Sequence, residues 1–347
     1  MRYRMAFQAL HDFIYRAWWQ EERSWIAYFL WPFSLVFVAI VVVRRLFYRC
    51  HFFKTYHCPV PVIVVGNITV GGNGKTPLVI YLAELLKKAG YQPAIISRGY
   101  GSKKQSAPRE VLVSDSADQV GDEPLLMARR TECPVVIYPK RVKAIHYVLA
   151  HHPTCNVIIS DDGLQHYAMG RDIEIAVMDG LRLLGNQWFL PAGPLREPLS
   201  RLKQVDCVVY NGRPSDSMGF GMQLAAGPVT SIKNPKEHAD RNVFSPYVVH
   251  AVAGIGNPTS FFQTLRALRF RFFEHAFPDH YSFQLSDFEF GENAMIIMTE
   301  KDAMRCLAFA TERYWFLPVA AVMDKAFDEM ILAQLENIGR DTLSHVV

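Results

Sequence analysis

The sequence predicts an α/β fold: a mostly parallel sheet flanked by helices, a second and smaller α/β domain, and an N-terminal membrane-associated helix. Short apolar, β-branched runs at 61–65 and 156–160 are typical of parallel strands that are buried on both faces. Helical stretches at 78–89 and 141–150 separate such runs, and strands that alternate with helices indicate a mostly parallel sheet. The third observation is a charge-free run of nineteen residues at 25–43, close to the minimum length for crossing a bilayer.

Composition bounds the class of protein. The chain has 347 residues, half of them hydrophobic, which is enough for two domains and favours a folded core over disorder. Residues 1–57 carry eight Lys or Arg against three acids, while the whole chain has a net charge of +4. The rest is therefore close to neutral, which excludes a protein that binds nucleic acid along its whole surface.

Cysteine usage indicates a reducing compartment. The six cysteines include no C-x-x-C pair, so reduced thiols in the cytosol are favoured over a disulfide framework. The neighbours Cys50-His51 and His57-Cys58 could suggest zinc. No repeated metal-ligand spacing supports that interpretation.

The flanks of the charge-free run favour a membrane. Tryptophans precede or lie within it at 18, 19, 25 and 31, and such aromatic residues suit a membrane interface. Basic residues follow at 44, 45, 49 and 54, which predicts that the following domain lies on the cytoplasmic side. Pro32 and the amphipathic residues before the run leave two possibilities open: the segment spans the membrane or lies in its interface.

The stretch 66–77 has the form of a phosphate-binding loop between a strand and a helix. Its glycines allow a sharp turn and a close approach to a ligand, and the helix N-terminus favours anions. The strict pattern G-x-x-x-x-G-K-[ST] has a glycine where this chain has Thr69. We predict a P-loop NTPase-like core with a nucleotide site. Its predicted nucleotide-binding residues are Thr69, Gly71, Gly72, Asn73, Gly74, Lys75 and Thr76.

An acidic motif follows the apolar run at 156–160. The run ends in Asp161 and Asp162, which is the form of a Walker B element, where a carboxylate at a strand end holds Mg²⁺. Two adjacent carboxylates repel each other unless a cation lies nearby. We therefore predict a Mg²⁺ site, although a simple turn would also account for the pair.

Two further loops carry charge. A proline-rich loop presents Arg196 beside Glu197, and an arginine near a P-loop can stabilise charge on a transferring phosphoryl group. Asp122 and Glu123 open a predicted helix. From the residues alone, acids in a first turn are as well explained as helix caps.

Together these motifs resemble the tetraacyldisaccharide 4′-kinase family of lipid A biosynthesis, over nearly the whole chain. The motifs are 66–77 (GNITVGGNGKTP), 97–100 (SRGY), 121–124 (GDEP), 161–166 (DDGLQH), 191–197 (PAGPLRE), 279–281 (DHY) and 299–302 (TEKD). The family has Ser or Thr where the strict P-loop has its first glycine, so Thr69 fits the resemblance.

The resemblance implies a lipid kinase. It would transfer the γ-phosphate of ATP, with Mg²⁺, to the 4′-hydroxyl of a tetraacyldisaccharide 1-phosphate and so give lipid IVA. The acylated disaccharide lies in a membrane, which accounts for the apolar N-terminal segment. The expected location is the inner membrane, with the catalytic domains on the cytoplasmic face. No nucleic acid and no protein partner is implied.

The resemblance also implies residue roles. The expected catalytic residues are Asp122, as general base, with His280, Arg196 and Lys75. The expected metal ligands are Thr76, Asp161, Asp162 and Glu123. The expected substrate contacts are Arg98, Tyr100 and Glu197. For Lys301 and Asp302, a structural ion pair at a strand end is as good an explanation as a role in the active site.

We predict three parts of the chain: a membrane-associated helical segment at 1–57, a P-loop kinase core at 58–204 and a second α/β domain at 205–347. Two placements of the last helix are left open: it packs on the second domain or returns to the core. Within them we expect a strand at 111–114, linker or loops at 213–240, and a single last strand at 315–322. An alternative function keeps the P-loop without a sugar acceptor. The protein would then be a membrane-tethered ATPase or nucleotide switch.

Overall fold

A computed structural model gives the structure, which describes residues 17–19, 24–72, 74–212, 219–291 and 293–344. The strands within these ranges are β1 (Val62–Gly66), β2 (Pro93–Ser97), β3 (Arg109–Glu110), β4 (Val135–Ile137), β5 (Val157–Asp161), β6 (Ile173–Asp179), β7 (Cys207–Asn211), β8 (Phe220–Ala226), β9 (Val229–Ser231), β10 (His238–Ala239), β11 (Val248–Ala253), β12 (Phe273–Ala276), β13 (Ala294–Thr299), β14 (Tyr314–Leu317) and β15 (Val319–Met323).

The α-helices are α1 (Trp25–Arg49), α2 (Lys75–Lys88), α3 (Ala117–Val120), α4 (Asp122–Thr131), α5 (Arg141–His151), α6 (Arg241–Phe244), α7 (Pro258–Ala267), α8 (Glu300–Cys306) and α9 (Lys325–Ser344). Short 3₁₀ helices lie at Leu199–Lys203 and Leu285–Phe288. The alternation of strands and helices agrees with the predicted α/β class.

Two compact units make up the described chain. The first contains the described residues of Met1–Lys75, Asp162–Met222 and Met323–Val347, and the second contains Thr76–Asp161 and Gln223–Val322. The chain therefore passes back and forth between the units. The division into 1–57, 58–204 and 205–347 is not tested by this grouping and stays a prediction.

The first unit is built on parallel strands in the order β8-β7-β6-β1. All five residues of β1 are buried, as expected for a β-branched run in a parallel sheet covered on both faces. The loop that follows β1 leads to Lys75, at the start of α2. The carboxyl end of this strand therefore carries the glycine-rich stretch.

The first unit also contains α1, which is long and apolar enough to cross a membrane. Core helices and signal sequences pass the same test, but only 11% of this apolar window is buried. Pro32 lies inside the helix. Ser34, one of the helix's few buried residues, donates its hydroxyl to Phe189 O at 2.8 Å. Arg45 Nη2 also donates to Gln204 Oε1 at 2.8 Å, and Tyr28 packs edge-on against Trp188. The helix is thus attached to the first unit by a few side chains, while most of its apolar surface is exposed.

The second unit contains two sets of strands. One has the order β5-β2-β4-β3, in which β3 runs antiparallel to β4. The other is a six-stranded sheet in the order β10-β9-β14-β13-β11-β12. Aromatic and aliphatic side chains pack against this sheet, with Phe244 against Trp315 at 5.3 Å between ring centroids. The six-stranded sheet accounts for the smaller α/β layer that the sequence predicts.

Three local predictions are wrong. The strand expected at 111–114 is β3, which lies two residues earlier and pairs with β4. The stretch 213–240, expected to be loops, contains β8, β9 and β10, although 213–218 lies outside the described residues. The single strand at 315–322 is two strands, because Pro318 separates them and has no N–H to donate to a ladder.

Candidate active site

The glycine-rich loop of the first unit has backbone conformations that require glycine. Gly71 and Gly74 have φ values of +107° and +89°, which favour glycine. A Cβ on Gly74 would lie 2.7 Å from Asn211 Nδ2, so a side chain has no room there. Asn73, a predicted nucleotide contact, lies outside the described residues. Gly72 is exposed, with open space where a Cβ would stand.

The proline-rich loop braces this glycine-rich loop from the side. Val70 N donates to Pro194 O at 2.9 Å, and Arg196 N donates to Ile68 O at 2.7 Å. Thr69, 1% exposed, forms an isolated bridge with Leu195. Thr69 is therefore a buried part of the loop's frame, which accounts for a residue other than glycine at this position.

Two predicted cations meet at one predicted acid in the first unit. Lys75 Nζ lies 3.5 Å from Asp162 Oδ1. Arg196 donates to both oxygens of the same carboxylate, at 2.9 and 3.1 Å, and also to Asn67 O at 3.2 Å. Because these cations lie beside the N-terminus of α2, the cluster is suited to bind polyphosphate.

Asp161 precedes Asp162 in the sequence but belongs to the second unit, where its neighbours are different. Its Oδ2 accepts a hydrogen bond from Ser97 Oγ at 3.0 Å, and its main-chain oxygen accepts one from Arg141 at 2.9 Å. The side chain is 3% exposed. Thr76, in the first turn of α2, is half-buried, and Arg98 is exposed.

Glu197 lies in a buried ionic network of the first unit. It has no exposed surface, and its Oε2 is 3.8 Å from Arg201 Nε and 3.9 Å from Arg45 Nη1. Burial, together with Glu197, raises the pKa of the Tyr167 phenol. Arg201 also pairs with Glu174. This position favours a role in holding the proline-rich loop, rather than the substrate contact that the resemblance implies.

The second unit has its own polar cluster at the N-terminus of α4. Asp122, 3% exposed, accepts a hydrogen bond from Glu123 N at 2.8 Å through Oδ1. Gly121 precedes it with a φ of +90°, and a Cβ there would lie 2.6 Å from Tyr100 O. The other oxygen of Asp122 lies 3.1 Å from His280 Nδ1. The N-cap of α4 is Gly121, so the candidate base Asp122 is the first residue of the helix.

Lys301 joins three members of this cluster. Its Nζ donates to Glu123 Oε1 at 3.0 Å and to Asp279 Oδ1 at 3.3 Å, and it lies 3.3 Å from His280 Nε2. Burial opposes the lysine's charge, but Glu123 and Asp279 outweigh it and raise the pKa of Lys301. Burial, followed by the charge of Lys301, lowers the pKa of His280. The imidazole is therefore neutral at neutral pH.

Tyr100 completes the second cluster on its open side. The side chain is 65% exposed, and its ring centroid lies 4.9 Å from that of His280. An exposed aromatic ring beside a neutral histidine can contact a bound sugar or acyl group. The substrate contact that the resemblance implies for Tyr100 stays a prediction.

Sequence reasoning missed two members of these clusters. Gln165 Nε2 donates to Asn67 O at 2.9 Å in the first unit, and Arg305 pairs with Asp122 in the second. Gln165 belongs to the DDGLQH motif, which could have indicated it. Arg305 follows Asp302 by three residues, the spacing of neighbours on one helix face, but an isolated arginine in a helix carries no signal of its own.

Comparisons with known proteins show which family the chain is similar to. The family model of tetraacyldisaccharide-1-P 4′-kinases matches residues 26–336. The tetraacyldisaccharide 4′-kinase of Methylobacillus flagellatus is 48% identical over 323 residues, which cover 91% of this chain and 96% of that protein. The tetraacyldisaccharide 4′-kinase of Nitrosococcus oceani is 46% identical over 332 residues, which cover 95% and 96% respectively.

A solved structure is also similar. It is LpxK from Aquifex aeolicus in complex with ATP, with a TM-score of 0.74 and 30% sequence identity. The match covers 89% of this chain and 99% of that chain.

Proposed function

Because the chain belongs to the tetraacyldisaccharide-1-P 4′-kinase family, we propose that it transfers the γ-phosphate of ATP to the 4′-hydroxyl of a tetraacyldisaccharide 1-phosphate. The product would be lipid IVA, a precursor of lipid A. Membership confirms the resemblance read from the sequence motifs, and the similar structure confirms the α/β fold. The observation that best supports the proposal is the pairing of Lys75 and Arg196 with Asp162 beside the glycine-rich loop.

The proposed role of Lys75 and Arg196 is to bind phosphate oxygens. Both cations share the carboxylate of Asp162. A triphosphate offers more negative charge, and arginine binds phosphate in the same bidentate way as carboxylate. Phosphoryl transfer depends on positioning and electrostatic stabilisation. Arg196 would therefore stabilise the charge that develops on the transferring group.

The residues present fit Mg²⁺. Among the described residues, no group of three or more His, Cys, Asp or Glu side chains could hold a metal. Mg²⁺ is commonly bound by one or two carboxylates together with substrate phosphates rather than by a protein cage. The Thr76 hydroxyl and the carboxylates of Asp161 and Asp162 are oxygen donors of this kind. When bound, the ion would neutralise charge on the phosphates.

Glu123, the fourth predicted metal ligand, has a different partner in the structure. Its Oε1 accepts a hydrogen bond from Lys301 Nζ at 3.0 Å. We therefore assign Glu123 to holding Lys301, and the metal role stays a prediction.

Asp122 is the proposed general base for the acceptor hydroxyl. Its Oδ1 is fixed by a main-chain N–H, and its Oδ2 faces His280 Nδ1. In a loose transition state the hydroxyl proton leaves late, so orientation of the hydroxyl matters more than the basicity of the carboxylate. His280 would orient Asp122, while Arg98 and Tyr100 would contact the acceptor.

The acceptor's acyl chains indicate where the enzyme works. An exposed apolar helix, α1, would hold the protein at the inner membrane. The basic residues after its apolar run would keep the catalytic units on the cytoplasmic face. This position gives the kinase access to a lipid that does not leave the bilayer.

Acceptor-dependent ATP consumption tests this proposal. With purified protein, ATP, Mg²⁺ and a defined tetraacyldisaccharide 1-phosphate in mixed micelles, we expect ADP to form only when the lipid is present. Omitting the lipid is the control. Equal ATP hydrolysis with and without lipid would instead support the alternative, a membrane-tethered ATPase or nucleotide switch.

A further inference from the structure

Arg305 is a buried guanidinium whose two terminal nitrogens face different groups. Nη1 donates to Asp302 Oδ1 at 2.9 Å and to Gly254 O at 3.3 Å. Nη2 forms an ion pair with Asp122 Oδ2 and lies 3.2 Å from His280 Nδ1. Burial lowers the pKa of Arg305 to about 10, so the group is still charged at neutral pH. The side chain thus links a fixed anchor to the candidate base.

Asp302 provides that anchor, and it is itself fixed. The residue has no exposed surface. Its Oδ2 accepts hydrogen bonds from Thr299 Oγ1 at 2.6 Å and from Gly254 N at 2.9 Å. Thr299 caps α8 by accepting from Asp302 N. Because Oδ2 of this carboxylate is held by the N-cap residue of α8 and by the residue that follows β11, Arg305 is anchored at one end to the termini of two regular elements.

The contacts on Oδ2 of Asp122 also constrain His280. Nδ1 of a neutral imidazole either donates or accepts, but not both. A carboxylate at 3.1 Å requires Nδ1 to donate, and the ammonium of Lys301 at 3.3 Å requires Nε2 to accept. The Asp122 carboxylate and the Lys301 ammonium together favour the Nδ1–H tautomer. In that tautomer Arg305 donates to Asp122 and not to the ring, because guanidinium nitrogens cannot accept.

From these contacts we propose that Arg305 is a positioning residue for the phosphotransfer reaction, which holds the Asp122 carboxylate against His280 in the orientation that the acceptor hydroxyl requires. Asp122 is buried and has a cation on one oxygen and a main-chain N–H on the other, so it cannot rotate freely. Without the guanidinium, the buried carboxylate would lose its counter-ion and its orientation together. Arg305 itself does not touch the reacting atoms.

This inference rests on the proposed role of Asp122 and is tested by R305Q. Because Arg305 acts through a general base, whose removal costs about 10²–10⁴-fold in rate, we expect kcat to fall by about 10–100-fold. The KM for ATP should stay within about threefold. A kcat for R305Q within about twofold of wild type would overturn the inference.

R130Q is the matched control. Arg130 also bridges α4 and α8, through a hydrogen-bonded ion pair with Glu300 at 2.9 Å, but it does not contact Asp122. If Arg305 merely held the two helices together, both variants would lower the melting temperature and both would lower kcat by similar factors. We expect both to melt earlier and only R305Q to lose kcat strongly.

A double-variant cycle tests whether Arg305 acts through Asp122. In the D122N background, R305Q should lower kcat by no more than about twofold further, because residues that act as a unit are not additive. Full multiplication of the two losses would contradict a positioning role. The wild-type enzyme with lipid acceptor is the reference. If the wild type makes no product, the proposed function fails. If the wild type is active and R305Q is equally active, only this inference is overturned.

R305K decides the matter if R305Q does not fold. Lysine keeps the charge but has one nitrogen instead of a fork, so it cannot bridge Asp302 and Asp122 as arginine does. We expect a folded protein with kcat lowered about tenfold or more. Wild-type turnover in R305K would show that the charge alone suffices, and it would overturn the positioning role.

Discussion

Lys75 Nζ lies 3.5 Å from Asp162 Oδ1, so the lysine at the start of α2 has an anionic partner within the protein itself. Arg196 reaches the same carboxylate at 2.9 Å. Both cations are therefore held in place by the acid that follows β5. The phosphate oxygens of a nucleotide would compete with the Asp162 carboxylate for Lys75 and Arg196.

Removing the lysine tests this relationship. In K75A we expect kcat/KM for ATP to fall by about 10²–10³-fold, the usual effect of losing one electrostatic contact in a transition state. Steady-state kinetics at saturating lipid measure it. K87A is the control: Lys87 lies near the other end of the same helix, where it donates to Thr131 O at 2.8 Å. An unchanged kcat/KM in K75A would contradict the assignment.

Arg196 should not be replaceable by lysine. Its two-nitrogen contact with Asp162 and its bond to Asn67 O depend on the planar fork of arginine. We expect R196A to lower kcat by about 10²-fold or more. R196K should recover less than a tenth of the wild-type rate. Recovery of the full rate in R196K would show that only charge matters at this position.

Substitutions of Asp122 and His280 should lower kcat without weakening ATP binding. In D122A we expect kcat to fall by about 10²–10⁴-fold, while the Kd for ATP, measured by calorimetry, stays within about threefold. H280A should have a smaller effect in the same direction, because His280 acts by orienting the carboxylate. A wild-type kcat in D122A would return this residue to a helix-capping role.

The pair His250 and His275 predicts a pH dependence of stability in the second unit. Their ring nitrogens are 2.8 Å apart on β11 and β12, and burial lowers the pKa of both, with the neighbouring His275 adding to the effect on His250. A histidine whose pKa is lower in the folded state stabilises the fold above its ordinary pKa, near 6.5. That contribution is lost as the pH falls through the folded-state pKa.

Thermal melting between pH 7.5 and pH 5 measures this effect. The wild type should lose more stability on acidification than a variant with His250→Asn and His275→Gln, in which neither position titrates. His151, which is exposed, gives the control H151Q, whose pH profile should match wild type. Parallel profiles for the wild type and the double variant would contradict the prediction.

Charge on the exposed face of α1 should weaken membrane binding. Val36 and Ile40 are 60% and 61% exposed and lie one turn apart on the same face. We expect V36E/I40E to sediment poorly with anionic phospholipid vesicles but to bind ATP normally. L285E is the control, since Leu285 is equally exposed, at 61%, in the second unit. Unchanged sedimentation of V36E/I40E would show that other surfaces carry the anchoring.

Much of the fold follows from local pattern. The apolar run at 61–65 corresponds to β1 (Val62–Gly66), because a buried run with flanking turns leaves few alternatives. The strand β8 escaped detection because its sequence, FGMQLAA, has little apolar alternation and several of its residues are exposed. The short strand β9 joins the sheet by pairing with β14, far away in sequence, which no local pattern reveals. The two-residue strand β10 pairs with the nearby β9 and is too short to show a pattern of its own.

Some residues of the candidate site could be predicted from local sequence patterns and others could not. Lys75 and Asp162 were predictable because a phosphate loop and an acid at a strand end each have a sequence signature. The role of Glu197 was harder to see, since nothing local indicates that its carboxylate is buried beside Arg201 and Arg45. Arg305 could not be predicted, because its importance comes from a residue 183 positions away in sequence.

The position of the new phosphate tests the central claim most directly. After reaction of the wild-type protein with ATP, Mg²⁺ and tetraacyldisaccharide 1-phosphate, ³¹P NMR of the extracted lipid distinguishes the possible products. We predict a second phosphate monoester, coupled to the proton on C4′, with the 1-phosphate signal unchanged. A diphosphate at position 1, or free inorganic phosphate with unmodified lipid, would contradict the assignment as a 4′-kinase.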